Sequence, residues 1–372
     1  MRVLFQARKD LLTSRGGDTV QLIATRRHLI QRGVEVDLES SATSDCSLYD
    51  VVHLFNLTRP YDTFLQLENA KRQGKPVCLS TIYWNMDDLH LTTRVPIWML
   101  FARANMRILR YLYGFANGKA RHRYLEKRMM ASPEAVKACQ SRVVENADML
   151  LPNSRAELDL LHCDLPSSRQ IPFSIVHNGI DSHVFSRSSE PSLDFGQVRN
   201  RGQYILCAGR LEDRKNQVRL LRAMSTSDIP VVLVGGTQSS RSYAAEVHRN
   251  AKPLDAILGE VSQKELAGLY ANARVHVLPS LYDTPGLSSL EAGAMGCNLV
   301  MSEIGCQHEY FGESVEYCNP HSEEDIMLAV KRAWERPWPN TKLASFIRSN
   351  YTWEVAARQT HEAYKLLLRR DT

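Results

Sequence analysis

Short apolar runs alternate with longer amphipathic stretches in the first half of the chain. The runs have the length of buried strands and lie at residues 3–6, 34–38, 51–55, 77–82, 149–152 and 174–177. Helical periodicity separates them over residues 20–31, 61–72 and 133–146. Nearly continuous apolar strands alternating with helices are typical of a parallel sheet covered by helices on both faces. This half is therefore predicted to be one α/β domain, residues 1–182.

The alternation stops at residues 183–203, which are rich in Ser, Arg, Gly and Pro, and then resumes. The second set of predicted strands is 204–208, 231–234, 256–258, 275–278, 299–301 and 315–317, and the second set of helices is 217–224, 262–270, 288–296 and 323–336. We therefore predict a linker at 183–203 and a second domain at 204–350. Such doubly wound parallel sheets bind ligands beyond the carboxyl ends of their strands, so facing strand ends would create a cleft.

Composition indicates the cellular compartment in which the protein is expected. The 372 residues are 44% hydrophobic and 23% charged, which is typical of a soluble globular protein. No basic segment precedes an apolar core at the start, and no apolar run reaches membrane-spanning length, so a cytoplasmic protein is expected. The eight cysteines are scattered without zinc spacing, which predicts reduced, mostly buried thiols.

The formal net charge of +5 is confined to one region. Residues 1–182 carry 24 basic and 19 acidic side chains, whereas residues 183–372 carry 22 of each. Residues 94–128 hold nine basic side chains against one acid, and Arg103, Arg107 and Arg110 recur at helical spacing beside an apolar face. Peripheral contact with an anionic membrane and a solvated helix face both fit this pattern. No nucleic-acid recognition motif accompanies the charge, so nucleic acid is not expected as a partner.

Two segments that follow predicted strands carry groups suited to phosphate. Gly16 and Gly17 lie between the first strand and first helix, where glycine lets a backbone approach an anion closely. A plain tight turn explains them equally well. Arg210 and Lys215 follow the first strand of the second domain, and two fixed cations suit a diphosphate.

A third segment, Leu281 to Glu291, connects a predicted strand to a helix. The backbone amides of Gly286 and Leu287 would face an incoming phosphate at the helix start, and Glu291 could accept two hydroxyl groups. Asp283 precedes Glu291 with seven residues between them. A capping acid and a solvated glutamate are the structural alternative.

Together, and in this order, these segments resemble the family 4 retaining glycosyltransferases of the GT-B fold, in which two Rossmann-like domains clamp a nucleotide-sugar. The likeness covers nearly the whole chain. Its further matching pieces are Asn153-Ser154, Asn178-Gly179-Ile180-Asp181, Gly209-Arg210-Leu211 and Trp353.

The resemblance assigns roles to these residues. It implies that Arg210 and Lys215 hold the donor diphosphate, that Gly16 and Gly17 approach it from the other domain, and that Glu291 binds the ribose. Asp283 would contact the donor sugar, although the family usually has Glu there. Base recognition would fall near Gly259 and Val261, and a final helix within residues 351–372 would pack back on the first domain.

The acceptor side is less defined. Tyr83 stands where the family often has a sugar-contacting histidine, and Tyr83 and Asn85 are candidate acceptor contacts. These aromatic and polar residues equally suit a core position. Catalytic work is expected from Arg210, Lys215 and Asp283.

The implied activity is retaining transfer of a hexose from a UDP- or GDP-sugar to a glycan or lipid-linked glycan, in bacterial surface polysaccharide or lipopolysaccharide synthesis. No cofactor and no metal are expected, because two side-chain cations and helix starts neutralise the diphosphate and no DxD-like motif occurs there. The alternatives are a nucleotide-sugar epimerase and a non-catalytic nucleotide-sugar-binding scaffold.

Overall fold

The computed structural model describes residues 1–11, 13, 15–84, 132–186, 203–237 and 241–369. The chain divides into two units. The N-terminal unit consists of Met1–Asn153, Glu157–Val176 and Gln359–Thr372, and the C-terminal unit consists of Ser154–Ala156 and His177–Arg358. The predicted basic helix at residues 94–128 and most of the predicted linker lie outside the described residues.

The N-terminal unit contains a five-stranded parallel sheet. Its strands are β1 (Arg2–Gln6), β2 (Glu35–Glu39), β3 (Val51–Phe55), β4 (Val77–Ser80) and β5 (Met149–Leu150), in the order β2-β1-β3-β4-β5. Every residue of β3 and β4 is buried, as expected for strands covered on both faces. The sixth predicted strand, at 174–177, is instead an extended segment. It is joined to β5 by a single bridge between Leu150 and Phe173.

Helices surround this sheet largely where periodicity predicts them. They are α1 (Gly17–Gln31), α2 (Pro60–Arg72), α3 (Pro133–Asn146) and α4 (Arg155–Asp164). Helix α3 begins as predicted because the Ser132 hydroxyl accepts the Ala135 amide at 3.2 Å and Pro133 occupies the first helical position. Helix α4 was not predicted. Its first two amides, of Arg155 and Ala156, donate to the distant Glu309 carboxylate at 2.9 and 3.1 Å.

The C-terminal unit contains a six-stranded parallel sheet. Its strands are β6 (Tyr204–Ala208), β7 (Val231–Val234), β8 (Ala256–Ile257), β9 (Ala273–Leu278), β10 (Asn298–Ser302) and β11 (Glu316–Cys318), in the order β11-β10-β9-β6-β7-β8. The strand and helix alternation predicted for both halves is confirmed.

The described residues of this second half form eight α-helices. They are α5 (Gln217–Ala223), α6 (Arg241–Asn250), α7 (Gln263–Asn272), α8 (Leu287–Ala294), α9 (Gln307–Phe311), α10 (Glu323–Glu335), α11 (Thr341–Asn350) and α12 (Trp353–Leu368). Helix α7 begins where Ser262 and Glu265 bond each other's backbone amides, at 3.2 and 2.7 Å. Helices α6, α9 and α11 were not predicted. Helices α6 and α11 each bury three residues at helical spacing, which are Tyr243, Ala244 and Val247 in α6 and Leu343, Ala344 and Ile347 in α11.

The chain enters the main part of the C-terminal unit at His177, whereas the predicted first domain extends to residue 182. Ile180 is buried in the C-terminal core, and its amide donates to the Tyr351 carbonyl at 3.0 Å. Gly179 allows this approach, because a Cβ there would lie 2.3 Å from the Thr352 carbonyl carbon. The main part of the C-terminal unit therefore begins at His177.

Helix α12 starts in the C-terminal unit and belongs to the N-terminal unit from Gln359 onward, which confirms the expected course of the final helix. The Tyr364 hydroxyl lies 2.5 Å from His53 Nδ1, and the other ring nitrogen of His53 lies 2.9 Å from the Ser80 hydroxyl. Burial lowers the pKa of His53 to about 3, so this histidine is neutral.

All eight cysteines are free, as predicted. Seven are buried and Cys163, on α4, is exposed. Among the described helices, none is long and apolar enough to cross a bilayer.

Candidate active site

The order of the C-terminal sheet brings the predicted donor residues together. Strands β6 and β9 are parallel neighbours, so the segments that leave their carboxyl ends emerge at one edge of the sheet. The first segment carries Arg210 to Lys215 and the second carries Asp283. The two are joined directly, because the Leu281 amide donates to the Arg214 carbonyl at 2.9 Å.

Five charged side chains form one cluster at this edge. Asp283 is ion-paired through Oδ2 with Lys215 Nζ, and its Oδ1 lies 3.4 Å from Arg214 Nη1. Arg214 in turn lies 2.5 Å from Glu212 Oε1, and Arg210 lies 3.4 Å from Glu212 Oε2. The structure thus joins the predicted residues Arg210, Lys215 and Asp283, and adds two that the sequence analysis did not assign a role.

The charges in this cluster are unequal. Three cations meet two carboxylates, which leaves one positive charge to meet an anion. Arg210 is the accessible cation, with 36% of its side chain exposed, whereas Lys215 and Asp283 are each 11% exposed. Burial alone would raise the pKa of the Asp283 carboxyl, but Lys215 and Arg214 outweigh it and hold that pKa at about 2.

The start of α8 adds backbone donors beside this cluster. Gly286 has φ +79°, and a Cβ there would lie 2.7 Å from Leu278 Cδ2 and 3.8 Å from Asp283 Oδ2. Within the described part of the chain, no side chain caps α8 and no acidic residue occupies its first turn. The amides of Gly286 and Leu287 therefore lie at the uncapped, positive end of this helix.

Glu291 lies one turn into α8, where the Tyr270 hydroxyl donates to Oε2 at 3.4 Å. Burial raises the pKa of Glu291 to about 8, and the hydrogen bond from Tyr270 opposes that rise. At neutral pH this carboxyl is mostly protonated, so it can both donate to and accept from hydroxyl groups.

The segment predicted to recognise a base follows β8. Gly259 has φ +67° with open space where a Cβ would be, and its carbonyl accepts the Gly235 amide at 2.7 Å. Val261 is partly buried against the C-terminal core. The Glu260 side chain packs against Gly236, where a Cβ would lie 2.3 Å from Oε1.

In the N-terminal unit, Gly16 and Gly17 stand at the start of α1 as predicted. The neighbouring Asp18 carries a negative charge at this helix start, and its Oδ1 accepts the Thr19 amide at 2.9 Å. Asp18 is also held by Arg8 at 2.9 Å and by the Asn56 amide at 3.1 Å. Arg8 reaches Asp10 at 2.6 Å as well, so this region satisfies its own charges.

Tyr83, a candidate acceptor contact, takes the alternative position in the core. It is only 4% exposed, and its hydroxyl donates to Asp164 Oδ2 at 2.9 Å. Its amide donates to Glu157 Oε1 at 2.8 Å, so both polar groups bond within the protein. Tyr83 is therefore a core residue, whereas Asn85 lies outside the described residues. Among the described residues, no group of three His, Cys, Asp or Glu side chains could hold a metal ion.

The two parallel α/β units have the GT-B fold. The family model "Glycosyl transferases group 1" matches residues 192–353 of the chain.

The following relative and two solved structures match nearly the full length of this chain. A D-inositol 3-phosphate glycosyltransferase of Corynebacterium urealyticum is 24% identical over 95% of this chain and 91% of its own. The fold is shared with sucrose-phosphate synthase from Thermosynechococcus elongatus, at TM-score 0.76 and 16% identity over the whole of both chains. It is also shared with Anabaena HepE, solved in complex with UDP-glucose, at TM-score 0.72 and 13% identity over 98% of this chain and 100% of that one.

Proposed function

We propose that the protein transfers a hexose from a nucleoside diphosphate sugar to a hydroxyl of a glycan or lipid-linked glycan, with retention of the anomeric configuration. The observation that carries this proposal is the edge of the C-terminal sheet, where Arg210, Lys215 and the uncapped start of α8 collect positive charge. A diphosphate is the ligand that this combination suits best.

The main barrier to such a transfer is the departure of the diphosphate. Negative charge grows on its oxygens while an oxocarbenium-like centre forms on the sugar. Arg210, Lys215 and the amides of Gly286 and Leu287 would stabilise that charge, since they are positioned before the reaction begins. Glu291, which can donate and accept, would bind the ribose hydroxyls.

The charge state of Asp283 supports retention without an enzyme nucleophile. Its carboxylate is already held by Lys215 and Arg214, and it accepts from the Ser280 hydroxyl and the Thr284 amide at 3.2 Å each. An oxygen so engaged is a poor nucleophile. The departing diphosphate oxygen is then left to take the acceptor proton, as the resemblance to retaining enzymes implies.

UDP-glucose is the first donor to test, because HepE, which shares the fold, was solved with it. For the acceptor we propose a bacterial surface polysaccharide or lipopolysaccharide intermediate at the inner face of the membrane. The basic segment at residues 94–128 supports this, since its charge suits an anionic lipid surface. Vesicles with anionic lipid should sediment the protein, and equal recovery on neutral vesicles would contradict the membrane part of the proposal.

The donor assignment is tested by incubating the protein with labelled UDP- and GDP-sugars and following release of the nucleotide. We expect release that depends on an acceptor. If neither nucleotide binds at millimolar concentration, the proposal is wrong. An epimer released without acceptor would favour the epimerase alternative, and binding without turnover over a broad acceptor panel would favour the scaffold.

A further inference from the structure

Asp283 is held by two cations from one short segment, and each cation takes a different carboxylate oxygen. Lys215 pairs with Oδ2 and Arg214 Nη1 lies 3.4 Å from Oδ1. Both cations come from the 3-10 turn Asp213–Lys215. The proposed function requires Lys215 to bind the donor diphosphate as well.

Arg214 is tied to the loop that carries Asp283. Its carbonyl accepts the Leu281 amide at 2.9 Å, its Nη1 lies 3.4 Å from the Tyr282 carbonyl, and its guanidinium lies 5.4 Å from the centre of the Tyr282 ring. Glu212 fixes its other side at 2.5 Å. This guanidinium is therefore committed to the protein and cannot turn toward a ligand.

Lys215 differs because its ammonium sits at the end of a flexible stem that runs along Gly209, whose Cβ position is 3.4 Å from Lys215 Cε. A diphosphate that attracts this ammonium would draw it from Asp283. A buried carboxylate without a partner is strongly unfavourable, so Asp283 would then have to take up a proton unless another cation remained.

We propose that Arg214 is the positioning residue that keeps Asp283 ionised and in place while Lys215 serves the diphosphate of the donor. The inference rests on the proposed function and deepens it. Arg214 substitutes for Lys215 at the carboxylate, so donor binding leaves no buried charge unpaired. Lys215 and Arg214 are the cations that act on Asp283, Tyr282 adjoins it in the chain, and Glu212 pairs with Arg214. Burial raises the pKa of Tyr282 to about 12, so it does not titrate near neutral pH.

The experiment is a double-mutant cycle on UDP affinity, measured by titration calorimetry at pH 7 on the full chain. Arg214→Met should weaken UDP binding by about tenfold or more, and Arg214→Lys should recover part of that loss. Asp283→Asn should bind UDP at least as well as the unaltered protein, because Lys215 is freed. In the Asp283→Asn background, Arg214→Met should weaken binding by no more than about twofold. Loss of the Arg214–Glu212 pair is common to both backgrounds and cancels.

Proton uptake provides a readout that a purely structural role would not change. Titration in buffers of different ionisation enthalpy should show that Arg214→Met takes up more protons on UDP binding than the unaltered protein, because Asp283 becomes protonated. Glu291 is present in both proteins and contributes equally. The matched control is Arg222→Met, which removes an exposed arginine paired with Glu246 at 2.8 Å and should change neither affinity nor proton uptake.

Two outcomes overturn the inference. An equal loss of affinity from Arg214→Met in both backgrounds means that Arg214 acts on the nucleotide or on folding, independently of Asp283. An unchanged affinity in Arg214→Met means that it has no role in binding. If the unaltered protein binds neither UDP nor GDP, the donor assignment itself fails, which is a distinct result because no variant is needed to see it.

Discussion

The starts of α1 and α8, which both follow parallel strands, differ in the charged side chains around them. At α1, Asp18 lies in the first turn and places a negative charge at the positive end of the helix. Arg8 and the side-chain amide of Asn56 bond to Asp18. At α8 the first turn has no acid, and the nearby cluster has one cation more than it has carboxylates. The positive end of α1 therefore has a carboxylate of the protein beside it, whereas among the described residues the first turn of α8 has none.

The largest effects are expected from replacing one arginine in each of the two regions with alanine. These are Arg8 near the start of α1 and Arg210 in the charged cluster beside α8. Arg8→Ala should lower the free energy of unfolding by about 3 kcal/mol, because it leaves Asp18, whose side chain is only 14% exposed, without its cation. Arg210→Ala should instead reduce turnover by about 100- to 1000-fold with little loss of stability, because its side chain is 36% exposed and faces solvent. Urea unfolding and nucleotide release measure the two effects separately.

The control for both is Arg332→Ala, which removes an exposed arginine paired with Glu316 at 2.7 Å and should alter neither quantity. The comparison is reversed if Arg210→Ala unfolds the protein while its turnover per folded molecule stays normal. It is also reversed if Arg8→Ala keeps full stability.

A smaller effect is expected from adding one methyl group at each helix start. Gly286→Ala should cost about 2–4 kcal/mol of stability and weaken UDP binding, because alanine resists φ +79° and its Cβ would meet Leu278 at 2.7 Å. Gly16→Ala should cost about 1 kcal/mol or less, because φ is −146° there and the close atom is a carboxylate oxygen of Asp18. Similar thermal unfolding and UDP affinity in the two variants would contradict the proposed difference.

Expressed per pH unit, the smallest effect is a pair of opposite pH dependences, at Asp283 in the loop before α8 and at Glu291 within α8. Asp283, with its pKa lowered to about 2, contributes stability that is present above pH 3.8 and is lost as the pH falls toward 2. Glu291, with its pKa raised to about 8, contributes stability that is lost as the pH rises from 4.5 toward 8. Each slope is at most about 1.4 kcal/mol per pH unit.

Urea unfolding of the single variants separates these slopes. Asp283→Asn should flatten the acid side only, and Glu291→Gln should flatten the neutral side only. A neutral-side slope that survives Glu291→Gln would show that another group carries it.

The clustering of the candidate donor residues was predictable because their side chains follow strands, and parallel strands end at a common edge. Arg210, Lys215 and Asp283 lie together at such an edge, and their role at the donor stays a prediction. Their pairing was not predictable, because it depends on β6 lying beside β9, and strand order is not encoded in local periodicity. Nothing in the local sequence distinguishes Arg214, which turns inward to Asp283, from Arg210, which faces solvent.

The same limit explains the fold elements that were missed. Helix α4 begins at Arg155 because Glu309, far along the chain, caps its first amides, and no residue near Arg155 signals this. Tyr83 was a candidate acceptor contact because it stands where the resembling family often has a sugar-contacting histidine, and a core position was the alternative. Its burial depends on Asp164 and Glu157, whose positions the sequence alone does not reveal.

The distribution of the thiols gives the molecule a natural attachment point. Seven of the eight cysteines are enclosed by the cores, and Cys163 alone is exposed. A maleimide dye should therefore attach to the folded protein in a one-to-one ratio without any engineered residue. Because Cys163 belongs to the N-terminal unit and the charged cluster belongs to the C-terminal unit, a fluorophore on this cysteine would report on the first unit while donor variants are made in the second.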